Sequence, residues 1–200
     1  SEETVDEILD ALENGEVVTI EGEDLFLNKR IETVDSLGDF ELYPNRDSLP
    51  YKEIYGLTDA LTVMRGTYRN LGWCDTFKKI IDLGLVDETP VSFPRGTTYR
   101  QMTARLVGAG ENDDVAAATA AMLGLDRDHF VIGNLEWLGL FSTEPLARAD
   151  SILDILSQRL QEKLYYRAGE KDMLILRHRF VVENPDRSIE SITSTLIDYG

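Results

Sequence analysis

Three arginines stand close together in a chain dominated by acid. Arg46 lies in the polar turn Pro44-Asn45-Arg46-Asp47-Ser48. Arg65 and Arg69 flank Gly66-Thr67-Tyr68 at the end of the apolar run Ala60-Leu61-Thr62-Val63-Met64. A guanidinium grips a carboxylate through two parallel N–H donors, which an ammonium cannot do. The arrangement therefore points to a site for a small anionic molecule, built from a turn and a strand end. The competing reading is that these arginines balance local carboxylates such as Asp47, Glu53 and Asp59, since most surface charges are simply solvated. On the arginines alone the second reading is the stronger.

Other candidate chemistries are weaker. Val107-Gly108-Ala109-Gly110 has two glycines of a nucleotide fingerprint but no third. It follows a helical pattern rather than a strand, and Asn112-Asp113-Asp114 would repel a pyrophosphate, so it reads as an interhelical loop. His129 and His178, the two histidines, lie in different blocks without ligand spacing, which argues against zinc. His178 reads as a residue on a sheet face. Cys74, the one cysteine, follows Trp73 at the start of a helix and reads as a buried structural thiol. It excludes an internal disulfide and suits a reducing cytosol. The serines lack a nucleophile elbow. The residues carry no self-contained catalytic apparatus.

The elements that must position the arginines follow from periodicity. Residues 2–14 carry Val5, Ile8, Leu9 and Leu12 at helical spacing and are expected to form a short helix stopped by Asn14-Gly15. Strands are expected at 16–20, 25–27, 39–43 and 60–68, with a short helix at 51–56 between Pro50 and Gly56. Residues 31–37 show no clear period. Helices follow at 73–85, 98–106, 113–123 (capped by Glu111-Asn112), 128–138 and 148–165. The last has the stripe Ile152, Leu153, Leu156, Leu160 and Leu164. Residues 172–182 alternate, with Leu174, Leu176, His178 and Phe180 on one face. They turn through Asn184-Pro185-Asp186-Arg187 into a second long strand at 188–199. The order of strands, helical block and strands is that of an α+β fold. It has a mixed, largely antiparallel β-sheet, helices packed on it, and an inserted helical sub-domain. The expected division is 1–97 with 167–200 as the sheet-containing domain and 98–166 as the insertion.

Composition bounds the partners. The chain has 200 residues, 42% of them apolar, enough for a substantial core. A net charge of −17 argues against nucleic acid and anionic membranes as partners. No apolar run approaches the ~18 residues of a membrane helix, and no signal-peptide pattern is present. Both ends look cut, so a piece of a longer protein is expected.

Several local motifs agree on one family. These are 43–48 (YPNRDS), 51–56 (YKEIYG), 64–72 (MRGTYRNLG), Leu83-Gly84-Leu85 and 136–140 (EWLGL). They continue through 149–154 (ADSILD) and Lys171-Asp172-Met173 to 196–200 (LIDYG). In order and spacing they resemble the glutamate-forming saccharopine dehydrogenases, weakly before Glu16 and across 87–128. The resemblance implies the substrate-binding and dimerisation portion of the enzyme, of the glyceraldehyde-3-phosphate dehydrogenase C-terminal type. NADP or NAD would be held mainly by a domain outside this chain. It implies saccharopine, a tricarboxylate, as ligand, a cytoplasmic homodimer as the working form, and no turnover by this portion alone. It also implies that Arg46, Thr67, Tyr68 and Arg69 contact the substrate. Tyr68 replaces the usual leucine, which is harmless if that contact runs through the backbone. No catalytic residue is implied here. Arg65 is read as structural, pairing within the sheet or with Asp47. Two alternatives remain at this point: a related dehydrogenase acting on another carboxylated amine, such as a carboxynorspermidine-type substrate, and a non-catalytic binding or assembly module.

Overall fold

The computed structural model describes residues 9–110, 112–147 and 149–200, and they divide into two compact units at Lys163–Leu164. All strand pairings between the named strands are antiparallel. The first unit opens with a hairpin of β1 (Leu9–Glu13) and β2 (Glu16–Ile20). This corrects the helix expected at 2–14, whose earlier part, residues 2–8, lies outside the described residues. The reason is the doublet Asn14-Gly15: both residues take positive φ, 51° and 86°, as a two-residue hairpin turn requires. The doublet joins two strands instead of stopping a helix.

Residues Gly22–Leu27 form a 3-10 helix, not the strand expected at 25–27. Next come β3 (Arg30–Val34), β4 (Gly38–Pro44), the short helix α1 (Leu49–Ile54) and β5 (Gly66–Asn70). The three strands form one sheet in the order β3-β4-β5. The strand expected over 60–68 is only half realised. Residues 60–64 run irregularly, and Val63 alone exchanges backbone hydrogen bonds with Leu12 of β1 (3.1 and 2.9 Å). β3 comes from the segment without a clear period.

Five helices complete the layer: α2 (Trp73–Asp82), α3 (Tyr99–Leu106), α4 (Val115–Met122), α5 (Phe130–Leu138) and α6 (Ile152–Leu164). Most carry local caps. Thr98 and Gln101 form a reciprocal capping box on α3. Asp114, rather than the expected Glu111-Asn112, accepts from the Ala116 and Ala117 amides on α4 (3.0 Å each). His129 caps α5, and Gly139 ends it at φ +89°. The core lies among these helices: Ile80, Leu83 and Leu85 pack with Met102, Ile132, Leu135, Ile155 and Leu156. Arg159 is also buried; it donates through Nε to the Leu138 carbonyl (2.6 Å) and ion-pairs Glu144 and Glu162. No helix among the described residues is long and apolar enough to cross a membrane.

The second unit is a long hairpin, β6 (Met173–Glu183) against β7 (Ile189–Tyr199), paired over its whole length. Leu174, Leu176, His178 and Phe180 share one face as their alternation requires.

Candidate functional site

The β4–β5 ladder sets out the site. Its register places Tyr43 opposite Thr67 and Glu41 opposite Arg69, so these four residues share one face of the sheet. Tyr68, between Thr67 and Arg69, points to the other face. There its hydroxyl donates to Glu32 (2.7 Å), and its ring meets Phe40 edge-on at 6.2 Å. The tyrosine at this position therefore changes the far face of the strand and leaves the Thr67–Arg69 face as it was. Gly66 at the head of β5 is required by proximity. A Cβ there would lie 2.6 Å from the Tyr43 carbonyl oxygen.

Arg46 is exposed in the turn that leaves β4. That turn is tied down on both sides. Asn45 Nδ2 donates to Thr67 Oγ1 (2.6 Å), leaving the Thr67 O–H as a donor, and the Asn45 amide donates to the Arg65 carbonyl (3.3 Å). Ser48 is fully buried; its hydroxyl accepts from the Arg65 amide (3.0 Å) and its own amide donates to the Asp10 carbonyl (2.7 Å). Arg46 is thus held one residue from a side chain bonded to Thr67, and Arg69 lies two residues along the same strand face. Arg65 does not pair with Asp47. Its guanidinium donates to the Tyr51 hydroxyl and lies over the Tyr51 ring at 5.3 Å, because α1 brings Tyr51 alongside.

On this face sits a buried carboxylate. Glu41, 2% exposed, accepts from Lys29 Nζ (2.8 Å) and the Gly72 amide (3.0 Å) at Oε1, and from the Cys74 amide (2.7 Å) at Oε2. It caps α2 from a neighbouring strand, since Gly72, at φ +87°, has no side chain to do so. Burial would raise the Glu41 pKa, but Lys29 and the two amides outweigh it and hold the carboxyl below its ordinary value. Lys29 also bonds Asp75 (2.6 Å); burial works against its charge, yet the two carboxylates push its pKa up. Burial and the neighbouring Glu41 push the Cys74 thiol up to about 12, which leaves it inert as a nucleophile at neutral pH.

The structure thus brings Arg46, Thr67 and Arg69 into one neighbourhood and turns the Tyr68 side chain away. Sequence reasoning passed over Asn45, which ties the turn to the strand, and Glu41, which anchors the helix behind it. A lone acid inside the buried run Phe40-Glu41-Leu42-Tyr43 was the available signal for Glu41. The loop at 107–110 does not fit a nucleotide. The Gly110 amide donates to the Asp113 carboxylate (2.7 Å), which stands where a phosphate would have to bind.

Comparison with known proteins gives a consistent result. The chain is 35% identical over 197 residues to saccharopine dehydrogenase [NADP(+), L-glutamate-forming] of Schizosaccharomyces pombe, with 94% of this chain and 44% of that protein covered. It is 35% identical over 194 residues to the mitochondrial alpha-aminoadipic semialdehyde synthase of Mus musculus, with 94% of this chain and 21% of that protein covered. Among solved structures it superposes on apo saccharopine dehydrogenase (L-Glu forming) from Saccharomyces cerevisiae. The TM-score is 0.87 at 30% identity, covering 98% of this chain and 45% of the other. The chain therefore spans less than half the length of these relatives. The family described as the saccharopine dehydrogenase C-terminal domain matches residues 5–200, and the chain belongs to it.

Proposed function

We propose that this chain is the substrate-binding and dimerisation portion of a saccharopine dehydrogenase. The whole enzyme would oxidise saccharopine to glutamate and 2-aminoadipate semialdehyde, or run the reverse reaction, with NADP or NAD. The observation that carries the reading is the cationic corner of the β4–β5 face. Asn45 ties the turn that carries Arg46 to the Thr67 hydroxyl, and Arg69 lies over the Trp73 ring, in a chain of net charge −17. A tricarboxylate needs several fixed donors, and these residues supply three. At position 68 the contact would come from the backbone, since the tyrosine side chain is engaged on the other face. The name of the Schizosaccharomyces pombe relative specifies NADP(+). In this reading the cofactor is held mainly by another part of the enzyme. The role of the chain is to grip and orient carboxylates.

In the same proposal residues 1–97 and 167–200 serve as the substrate-binding and dimerisation domain, with 98–166 as an inserted helical sub-domain, and two copies form a cytoplasmic homodimer. One face of the β6–β7 hairpin exposes Leu174, Leu176, Phe180, Ile192 and Leu196, and a two-stranded sheet with so apolar a face needs cover. Sedimentation showing only monomer at high concentration would count against the dimer. The cytoplasmic location is supported by the free thiol of the one cysteine, Cys74, and is checked by cell fractionation.

The activity itself is tested by steady-state kinetics on the complete enzyme. Arg46→Ala and Arg69→Ala should each raise KM for saccharopine by about 10- to 100-fold, the worth of one charge-assisted contact, with KM for the cofactor little changed. Failure of saccharopine to reduce either nicotinamide cofactor, or unchanged KM in both variants, would refute the reading.

A further inference from the structure

Arg69 has a neighbour that orients it without neutralising it. Directly opposite Arg69 in the ladder is Glu41, the obvious partner for a guanidinium. Yet both Glu41 oxygens are engaged elsewhere, by Lys29 and by the Gly72 and Cys74 amides. The Arg69 guanidinium lies instead over the indole of Trp73, 5.3 Å from the ring centroid. A π face attracts a cation through its quadrupole but carries no net charge, so the attraction of Arg69 for a carboxylate survives.

The indole is itself held from two sides. Trp73 is the first residue of α2, and the amides on either side of it, at Gly72 and Cys74, are the two that Glu41 accepts from. Its ring stacks on Phe77 (5.6 Å, 18°), Phe77 packs on Phe26 (5.2 Å), and Phe26 on Tyr43 (5.0 Å). Tyr43 is the ladder partner of Thr67. A continuous row of aromatic rings thus runs along the Thr67–Arg69 face, and Trp73 is its end.

We propose that Trp73 is a positioning residue for substrate recognition. Its indole face presents the Arg69 guanidinium to a ligand carboxylate, and Glu41 and Phe77 fix that face. This rests on the reading of Arg69 as a substrate-binding residue. The test is steady-state kinetics on the complete enzyme with Trp73→Leu, Trp73→Phe, Arg69→Ala and the double variant Arg69→Ala/Trp73→Leu. Trp73→Leu should raise KM for saccharopine about two- to fivefold, with kcat and the cofactor KM little changed. Trp73→Phe, which restores a π face, should bring KM back towards that of the unsubstituted enzyme. The double variant should be no worse than Arg69→Ala, because without the guanidinium the indole has nothing to orient. Multiplying effects in the double variant, or equal KM values for Trp73→Phe and Trp73→Leu, would overturn the inference and leave Arg69 in the site. An unchanged KM in Arg69→Ala would overturn both readings. Fluorescence adds a readout independent of turnover: Arg69→Ala should alter Trp73 emission, measured against a Trp137→Phe background, and identical emission would sink the contact.

Discussion

Replacing Glu41 should be among the most damaging single changes in the sheet. Glu41→Ala leaves the buried Cys74 amide and the half-buried Gly72 amide without an acceptor. Hydrogen bonds to a charged group contribute about 1.5–3 kcal/mol each, and an orphaned buried donor retains most of its desolvation penalty. Lys29 softens the loss because it keeps Asp75. Relief from burying the carboxylate offsets part of the remainder. The expected cost is about 3–5 kcal/mol for Glu41→Ala, the range for breaking a buried charged cluster from one side. Glu41→Gln retains one carbonyl oxygen for one helix amide and should cost about 1–2 kcal/mol. Urea unfolding followed by circular dichroism measures both. The pH dependence checks the cause. Glu41 titrates below its ordinary 4.5 when folded, so its stabilisation is complete above that value and disappears as pH falls through the lowered one. The gap between wild type and Glu41→Gln should therefore be widest near pH 7 and shrink in acid below 4.5. A Glu41→Ala penalty under about 1 kcal/mol, or a Glu41→Gln gap that stays constant through the acid range, would refute the reasoning.

Three further outcomes follow from particular contacts. Gly66→Ala should destabilise by about 1–3 kcal/mol in urea titrations, since the added methyl meets the Tyr43 carbonyl and Leu42 Cδ1 (2.9 Å) and the β4 backbone cannot yield cheaply. Gly139→Ala should lower stability by about 2–4 kcal/mol in the same assay, because it combines a left-handed φ with a clash against the Arg159 guanidinium. The Cys74 thiol, buried and pushed up to about 12, should resist a thiol reagent at pH 8 in the folded chain and react within minutes once unfolded; rapid native labelling would contradict its burial.

What could be read from the sequence was what is encoded locally. Helices α2 to α6 were expected from local pattern, α6 most clearly through its apolar stripe, whereas the reciprocal cap Thr98–Gln101 on α3 and the Asp114 cap on α4 were not read. The β6–β7 hairpin shows in two long β-rich runs on either side of the turn Asn184-Pro185-Asp186-Arg187. Arg46 and Arg69 were visible as part of an arginine cluster in an acidic chain, though only the motif resemblance favoured a ligand over local carboxylates. Residues 9–13 were ambiguous because Leu9 and Leu12 fit a helix, while the turn doublet that decides the matter follows them. Residues 60–64 have strand composition but meet only scattered partners some fifty positions earlier, Leu12, Asn14 and Gly15, instead of a regular ladder. Arg65 finds its partner in Tyr51 for the same kind of reason. Glu41, Gly72 and Cys74 are separated by 31 and 33 positions, and no spacing rule links a strand carboxylate to a distant helix start.

That separation has a consequence for how the protein assembles. Most helix starts in this chain are prepared by the residues just before them, so their first turns are favoured even in a loosely ordered chain. Helix α2 is not: Gly72 has no side chain to cap its first amides, and the acceptor for them arrives only when β4 docks. A peptide of α2 alone should be poorly helical. Its ordering is tied to closure of a loop of some thirty residues, whose entropy must be met before the contact forms. The Trp73 platform and the Arg69 guanidinium above it therefore acquire their geometry in the same cooperative step as the sheet. A chain caught partway through folding, with its other helices formed but β4 undocked, would not present the proposed binding corner.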